Sequence, residues 1–296
     1  VPRAVFARGT RASGEVALFT VLPSPLPCGP VRVLPAARTK TPVTSTQVLA
    51  RTPQSDTSTR YSLLLSTEPD EVRAAQRLRY RVFAEELGAS LHTPEPGLDV
   101  DRFDAFCDHL LVRDESSGEI VGNYRMLPPA AAARAGGLYS EGEFVLDELA
   151  PLRSSLVETG RSCVHPDHRN GAVVGLVWAG IARYMLLTGN RWLAGCASVP
   201  LADGGAAAST VWDRALARHL SPEAYRVRPL RPWRPPVLRR PRRVAIPPLL
   251  QGYLRLGAWV CGPPALDPDF DCADFFVLLG LDHLDERYAR FFFGEP

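Results

Sequence analysis

The stretch Glu158-Thr-Gly-Arg-Ser-Cys-Val-His-Pro-Asp-His-Arg-Asn-Gly171 decides how the chain is read. Ser162-Cys-Val reads as a strand, His165 to Gly171 as a tight turn, and Val173 to Leu187 as an apolar helix. A helix that begins straight after such a turn offers free backbone N–H groups and the positive end of its dipole. These hold a phosphate or polarise an oxyanion. The same residues also suit an ordinary strand-turn-helix with no ligand.

Working outward, Tyr61-Ser-Leu-Leu-Leu reads as a first strand. Glu68-Pro-Asp-Glu opens a helix with acidic residues in the first turn, where they complement the dipole. Its apolar face runs through Val72, Ala75, Leu78, Val82, Phe83 and Leu87, and Gly88 ends it. His109-Leu-Leu-Val and Ile120-Val-Gly-Asn-Tyr-Arg-Met-Leu flank the turn Glu115-Ser-Ser-Gly and read as a hairpin. Phe144 to Leu149 reads as a short helical piece. Beyond the deciding stretch, Trp192-Leu-Ala-Gly-Cys-Ala is a strand, Ala206–His219 and Leu249–Val260 are helical, and Phe275-Phe-Val-Leu-Leu is a last strand. The order implies an α/β domain with a mixed sheet. No GxGxxG follows a strand and no P-loop occurs, which excludes the usual nucleotide-binding patterns.

Composition adds limits. The 296 residues are 46% hydrophobic and 22% charged, as in a globular chain, and the net charge is only +2. Nothing there asks for nucleic acid. Lys40 is the only lysine, a bias that reads as coding composition. Residues 1–59, rich in Pro, Thr, Ser and Arg, read as a disordered tail, with the folded domain at 60–296. The stretch 226–243 reads as a basic, proline-broken insertion suited to anionic lipid or an acidic protein. No apolar run reaches the roughly 20 residues of a membrane helix. The six cysteines make no CxxC pair, so free thiols in a reducing, cytoplasmic setting are expected, without structural zinc. His165 and His168 do not converge as metal ligands, and no metal is expected.

Two levels of resemblance organise the rest. Val164, Pro166 and Arg169 in the turn resemble the cofactor-binding region of the GNAT acyltransferase superfamily. Ala172 and Val174 stand where that pattern favours small glycines. Arg79 with Phe83, the spaced acids Asp99, Asp101 and Asp104, Arg125 in Tyr-Arg-Met-Leu-Pro, and Glu158-x-x-Arg161 resemble the acyl-homoserine-lactone synthases. A closer resemblance spans residues 61 to 293. Cys107-Asp-His-Leu-Leu-Val, Tyr139-Ser-Glu-x-Glu-Phe, Gly160-Arg-Ser-Cys-Val-His-Pro, Leu249-Leu-Gln-Gly-Tyr-Leu-Arg-Leu-Gly-Ala and Arg287-Tyr-Ala-Arg-Phe look like the L-ornithine Nα-acyltransferases, often labelled hemolysin-like. N-acyl amino acid synthases share much of this pattern.

The resemblance implies a GNAT-like fold: a mixed, mostly antiparallel, twisted sheet flanked by helices. It implies transfer of a long, 3-hydroxylated acyl chain from acyl carrier protein to the α-amine of L-ornithine, giving lyso-ornithine lipid. The phosphopantetheine thioester of the carrier protein is the donor, acyl-CoA the alternative, and no cofactor is permanently bound. Another amino acid or S-adenosylmethionine remains an alternative acceptor, and a non-catalytic lipid-binding module remains an alternative class. An amphiphilic product implies peripheral contact with an anionic membrane at its inner face.

The implied roles are these. Glu158 deprotonates the amine, or else pairs with Arg161 to hold the strand start. Arg161 orients Glu158, or binds the acceptor carboxylate. The N–H near Cys163 or Val164 takes the oxyanion. Asp101, Asp104 and Asp108 receive the cationic side chain, or are loop carboxylates. Arg79 and Arg125 bind a carboxylate or phosphate, or are buried structural partners. Phe83, Phe144 and Trp178 line the acyl tunnel, or are plain core. Arg169, Asn170 and Gly171 hold the donor phosphopantetheine. Cys163 as a covalent nucleophile is the least favoured reading, because GNAT enzymes transfer directly.

Overall fold

The two apolar runs of the predicted hairpin build the centre of one mixed sheet. The computed structural model of the protein describes residues 32–33, 46–52, 60–235 and 246–284. The principal strands are β1 (Gln47–Arg51), β2 (Tyr61–Ser66), β3 (Asp108–Asp114), β4 (Ile120–Leu127), β5 (Leu156–Val164), β6 (Trp192–Pro200) and β7 (Cys272–Gly280). They lie side by side in chain order. All neighbouring pairs are antiparallel except β5 and β6.

That parallel pair needs a crossover, supplied by helix α2 (Gly171–Thr188), which stops at Gly189 in the left-handed region (φ 68°). By length and composition α2 could cross a membrane. Here Val173, Leu176, Val177, Ile181 and Met185 are buried in the core, with Leu63, Leu110 and Val157. Helix α1 (Pro69–Tyr80) continues through a π-helical turn at Arg81–Glu86, and Gly88 (φ 75°) releases the chain. Two further helices, α3 (Ala206–Arg214) and α4 (Pro248–Leu256), pack on the α2 side. The other face carries a second core of Phe103, Leu127, Phe144, Leu149, Phe276 and Leu278 under short 3-10 segments.

Several boundaries differ from the sequence reading. Gln47–Arg51 lies within the stretch read as tail, yet it pairs with β2 and buries Leu49 and Ala50. Two such side chains suffice to extend a sheet whose edge is otherwise bare. The rest of residues 1–59, apart from Arg32–Val33 and Thr46 to Thr52, falls outside the described residues. Phe144–Val145 is a strand, not helix, and pairs with Arg228–Pro229. Leu249–Val260 is helical only to Leu256; Gly257 (φ 97°) breaks it, and Trp259–Val260 joins β7. The basic insertion is a tied strap as far as Pro235. Leu230 donates its N–H to Glu143 O (2.7 Å), and Arg231 O accepts from Leu266 N (2.8 Å). Residues 236–243 fall outside the described residues.

Candidate active site

The site begins where the parallel pair stops. β5 and β6 are both nine residues long, but only Leu156–Trp192, Val157–Leu193 and Glu158–Ala194 pair. At the fork Gly195 permits the close approach: a Cβ there would lie 2.3 Å from Thr159 O. Past this point the strands diverge. On its other edge β5 bulges, because Asn123 pairs with Cys163 while Arg125 pairs with Gly160. Arg161 and Ser162 thereby leave the ladder, Arg161 with φ 51°, and Asn123 Nδ2 holds Arg161 O at 2.7 Å.

The divergence opens a cavity of about 630 Å³. Glu158, Gly160, Arg161 and Ser162 line one wall, and Ala194 to Ser198 the other. Leu193, Ile246, Leu250, Tyr253 and Val277 make an apolar end.

Glu158 is 4% exposed. Its carboxylate accepts the backbone N–H groups of Tyr139 (2.6 Å) and Ser140 (2.9 Å). Burial pushes its pKa up, and the contacts from Ser140 and Tyr139 only partly oppose this. The pairing of Glu158 with Arg161 considered from sequence is not formed. Arg161 instead meets Asp99 (3.1 Å) and Asp101 (3.5 Å) and lies 5.0 Å over the Tyr139 ring.

Arg161 is one corner of a buried network. Arg79, with no exposed surface, pairs with Asp99 (2.9 Å) and Asp104 (2.8 Å). Arg125 pairs with Asp101 (2.6 Å) and Asp104 (3.0 Å). Burial opposes the charged Asp104, but Arg79 and then Arg125 outweigh it and hold that carboxyl far below the usual range. Asp101 is likewise lowered against its burial, by Arg125 and Arg161. The expectation that Asp101 and Asp104 receive a substrate cation is therefore corrected: arginines already occupy them. Asp108 accepts from the Tyr184 hydroxyl (2.7 Å) and does not line the cavity. Arg79 and Arg125 are held by aspartates and act as buried structural partners, although Arg125 also reaches the cavity wall.

Other expected positions shift too. Val164 is buried opposite Gly122 in the ladder and off the cavity wall; the backbone released from pairing is at Arg161–Ser162. Cys163 is fully buried and burial pushes its thiol up to about 12, the reverse of an activated nucleophile. Phe83 does line the cavity. Phe144 packs 5.8 Å from Phe276, and Trp178 packs 5.0 Å from Tyr253; both are core. The donor trio is engaged elsewhere. Arg169 forms a two-pronged pair with Glu86 (2.6 Å each), and Asn170 caps α2 by accepting from Ala172 N and Val173 N (3.1 Å each). Gly171 is the first helical residue after that cap. A phosphate at this N-terminus would compete with a filled cap.

Sequence reasoning missed a second acidic group in the same cavity: Glu143, Asp267 and Asp274, with Cys196 beside them. Its one signal was a charge, Asp274, inside the apolar run Cys272–Gly280.

A parallel pair that splits over a cavity with a buried carboxylate at the fork defines an acyltransferase of the GNAT type. Residues 78–179 match the family described as Acetyltransferase (GNAT) domain. More particularly, the chain belongs to the L-ornithine Nα-acyltransferase family. It is 37% identical to the L-ornithine N(alpha)-acyltransferase of Rhizobium meliloti over 248 residues, covering 77% of this chain and 82% of that one. To the enzyme of the same name from Rhodobacter capsulatus it is 36% identical, covering 78% and 94%. Among solved structures, an N-acyl amino acid synthase from uncultured soil microbes aligns with a TM-score of 0.48 at 12% identity, covering 79% of this chain and 100% of that one.

Proposed function

We propose that this acyltransferase moves a long, 3-hydroxylated acyl chain from acyl carrier protein to the α-amine of L-ornithine, giving lyso-ornithine lipid. The observation that carries the reading is Glu158, a buried carboxylate on the wall of the cavity at the strand fork, in a chain whose relatives bear that name. Glu158 removes a proton from the α-ammonium or the attacking amine, and its upward-shifted pKa makes it the stronger base. The amine nitrogen bonds to the thioester carbon, the C–S bond breaks, and the thiolate leaves with a proton. Backbone N–H groups at the Arg161–Ser162 bulge face the developing oxyanion. The apolar end of the cavity takes the acyl chain.

Two features support a carrier-protein donor over a nucleotide one. The α2 N-terminus is capped by Asn170. The strap, tied to Glu143 of the cavity wall through Leu230 N, exposes Arg228, Arg231 and Arg234, a basic surface for an acidic carrier protein or an anionic lipid surface. The reading places the enzyme in the cytoplasm, touching the inner face of the membrane into which its product partitions.

The test is a mass-spectrometric product assay pairing L-ornithine, other amino acids and S-adenosylmethionine with 3-hydroxyacyl carrier protein or the matching acyl-CoA. N-acylornithine made preferentially from the carrier-protein donor is expected. Glu158→Gln should lower kcat about 10²- to 10⁴-fold while the protein stays folded. Full activity in that variant removes Glu158 as the base, and product with another acceptor reassigns the substrate.

A further inference from the structure

We propose that Glu143 and Asp274 form the pocket for the far, cationic end of the acceptor, a primary ammonium three methylenes from its α-carbon. The inference rests on the N-acylation reading and names the recognition residues of that same cavity.

The two carboxylates share a sheet face with Glu158. Alternate residues of a strand point the same way, so Ala194, Cys196 and Ser198 line one face of β6. Glu158 stands opposite Ala194, Asp274 opposite Ser198, and Glu143 lies beside Cys196. Ser140 links the two ends: its N–H binds Glu158, and its hydroxyl oxygen accepts from Cys196 Sγ (3.3 Å). At ~3.3 Å per residue, the acidic pair lies about 7 to 13 Å along β6 from the fork. An extended ornithine spans about 6 Å between its amines, and a charge-assisted hydrogen bond of about 2.8 Å at each end brings this to roughly 12 Å.

The pair has hydrogen-bonding contacts, Asp274 Oδ1 accepting from Cys272 Sγ (3.5 Å), but no counter-charge among the described residues. Asp274 is 3% exposed, and Glu143 Oε2 is shut off from solvent with no hydrogen-bond partner. Among the described residues, neither forms an ion pair with an arginine or histidine. Each is instead set against another acid, with Asp267 adding to the negative field. Burial, then the Asp274 charge, drives the Glu143 pKa up; burial does the same for Asp274. Two buried acids facing a cavity with nothing positive between them suit an incoming cation. A metal ion is the poorer fit. No histidine joins the group, and burial followed by Glu143 pushes the Cys196 thiol well above its ordinary range. An ammonium needs only the carboxylates, and its arrival displaces the proton they share.

Calorimetry on the full-length protein separates this from the catalytic reading. L-ornithine is compared with L-norvaline, which has the same skeleton without the far amine. Wild type should bind ornithine at least tenfold tighter and release a proton, seen as a dependence of the heat on buffer ionisation. Glu143→Gln and Asp274→Asn should each reduce the preference below threefold and abolish the proton release. If Asp274→Asn does not fold, Glu143→Gln on the partly exposed cavity wall carries the test. A preference that survives in the folded variants overturns the pocket, as does no preference in wild type, or ornithine binding that requires added zinc. The arms come apart cleanly. Preference without acyl transfer keeps the pocket and fails the catalytic reading; transfer to ornithine with undiminished preference in the variants does the opposite.

Discussion

Two groups of three acids lie near one cavity, the first behind its wall residues Arg125 and Arg161 and the second in the wall itself, and they have opposite chemistry. Asp99, Asp101 and Asp104 lie within ion-pair reach of Arg79, Arg125 and Arg161. Glu143, Asp267 and Asp274 have no such partners among the described residues. The first group knits α1, the loop before β3, β4 and β5 together, and its Asp101 and Asp104 are held in the charged form. In the second, Glu143 and Asp274 are driven toward the neutral form. Burial alone therefore says little about a carboxylate's role; its counter-charge decides whether it is already used.

The sharpest way to break the comparison is Arg79→Ala. It leaves the buried Asp99 with Arg161 alone and Asp104 with Arg125 alone, and should cost about 3–5 kcal/mol in chemical denaturation. A loss under 1 kcal/mol would mean the network is not structural. Next, stability against pH should have two limbs that separate genetically. Asp101 and Asp104 have lowered folded pKa values, so their contribution is present above the ordinary carboxylate range and disappears as pH falls below it. Glu143 and Asp274 have raised ones, so theirs is full below the ordinary carboxylate range and is lost as pH climbs from there through their raised folded values. Glu143→Gln should raise the melting temperature at pH 8 by about 3 °C, roughly 1 kcal/mol for a domain of this size, and leave the acid limb unchanged. An unaltered alkaline limb would contradict the raised pKa. The smallest effect belongs to Asn170→Ala, which should cost about 1 kcal/mol by uncapping α2. An unchanged KM for the carrier-protein donor fits a cap; a large rise in KM would return Asn170 to the donor site.

Much of this was legible before any coordinates. The hairpin of β3 and β4 followed from two strand-like runs flanking Glu115-Ser-Ser-Gly, and the strand-turn-helix from Glu158 to Leu187 followed from the turn residues and the apolar run after them. Strand β1 was not legible, because Gln47–Arg51 is short and set among Thr, Ser and Pro. The candidate site was half legible. Residue types marked Arg79, Asp101, Asp104, Arg125, Glu158 and Arg161, but sequence cannot say which acid an arginine chooses. The chain brings Asp99, not Glu158, to Arg161. Glu143 and Asp274 escaped because they are far apart in sequence: the β6–β7 register sets Asp274 opposite Ser198, and the segment before Phe144 brings Glu143 against it.

The short parallel seam between β5 and β6 makes the enzyme modular. The backbone pairing between the part carrying β4, β5 and the arginines and the part carrying β6, β7 and Asp274 is confined to the few residues before the Gly195 fork. The side chains of Cys196, Asp274 and Glu143 can be exchanged without disturbing the arginine lattice, because none of them is bonded to it. A lineage with this architecture is free to drift in what it acylates while conserving how it acylates.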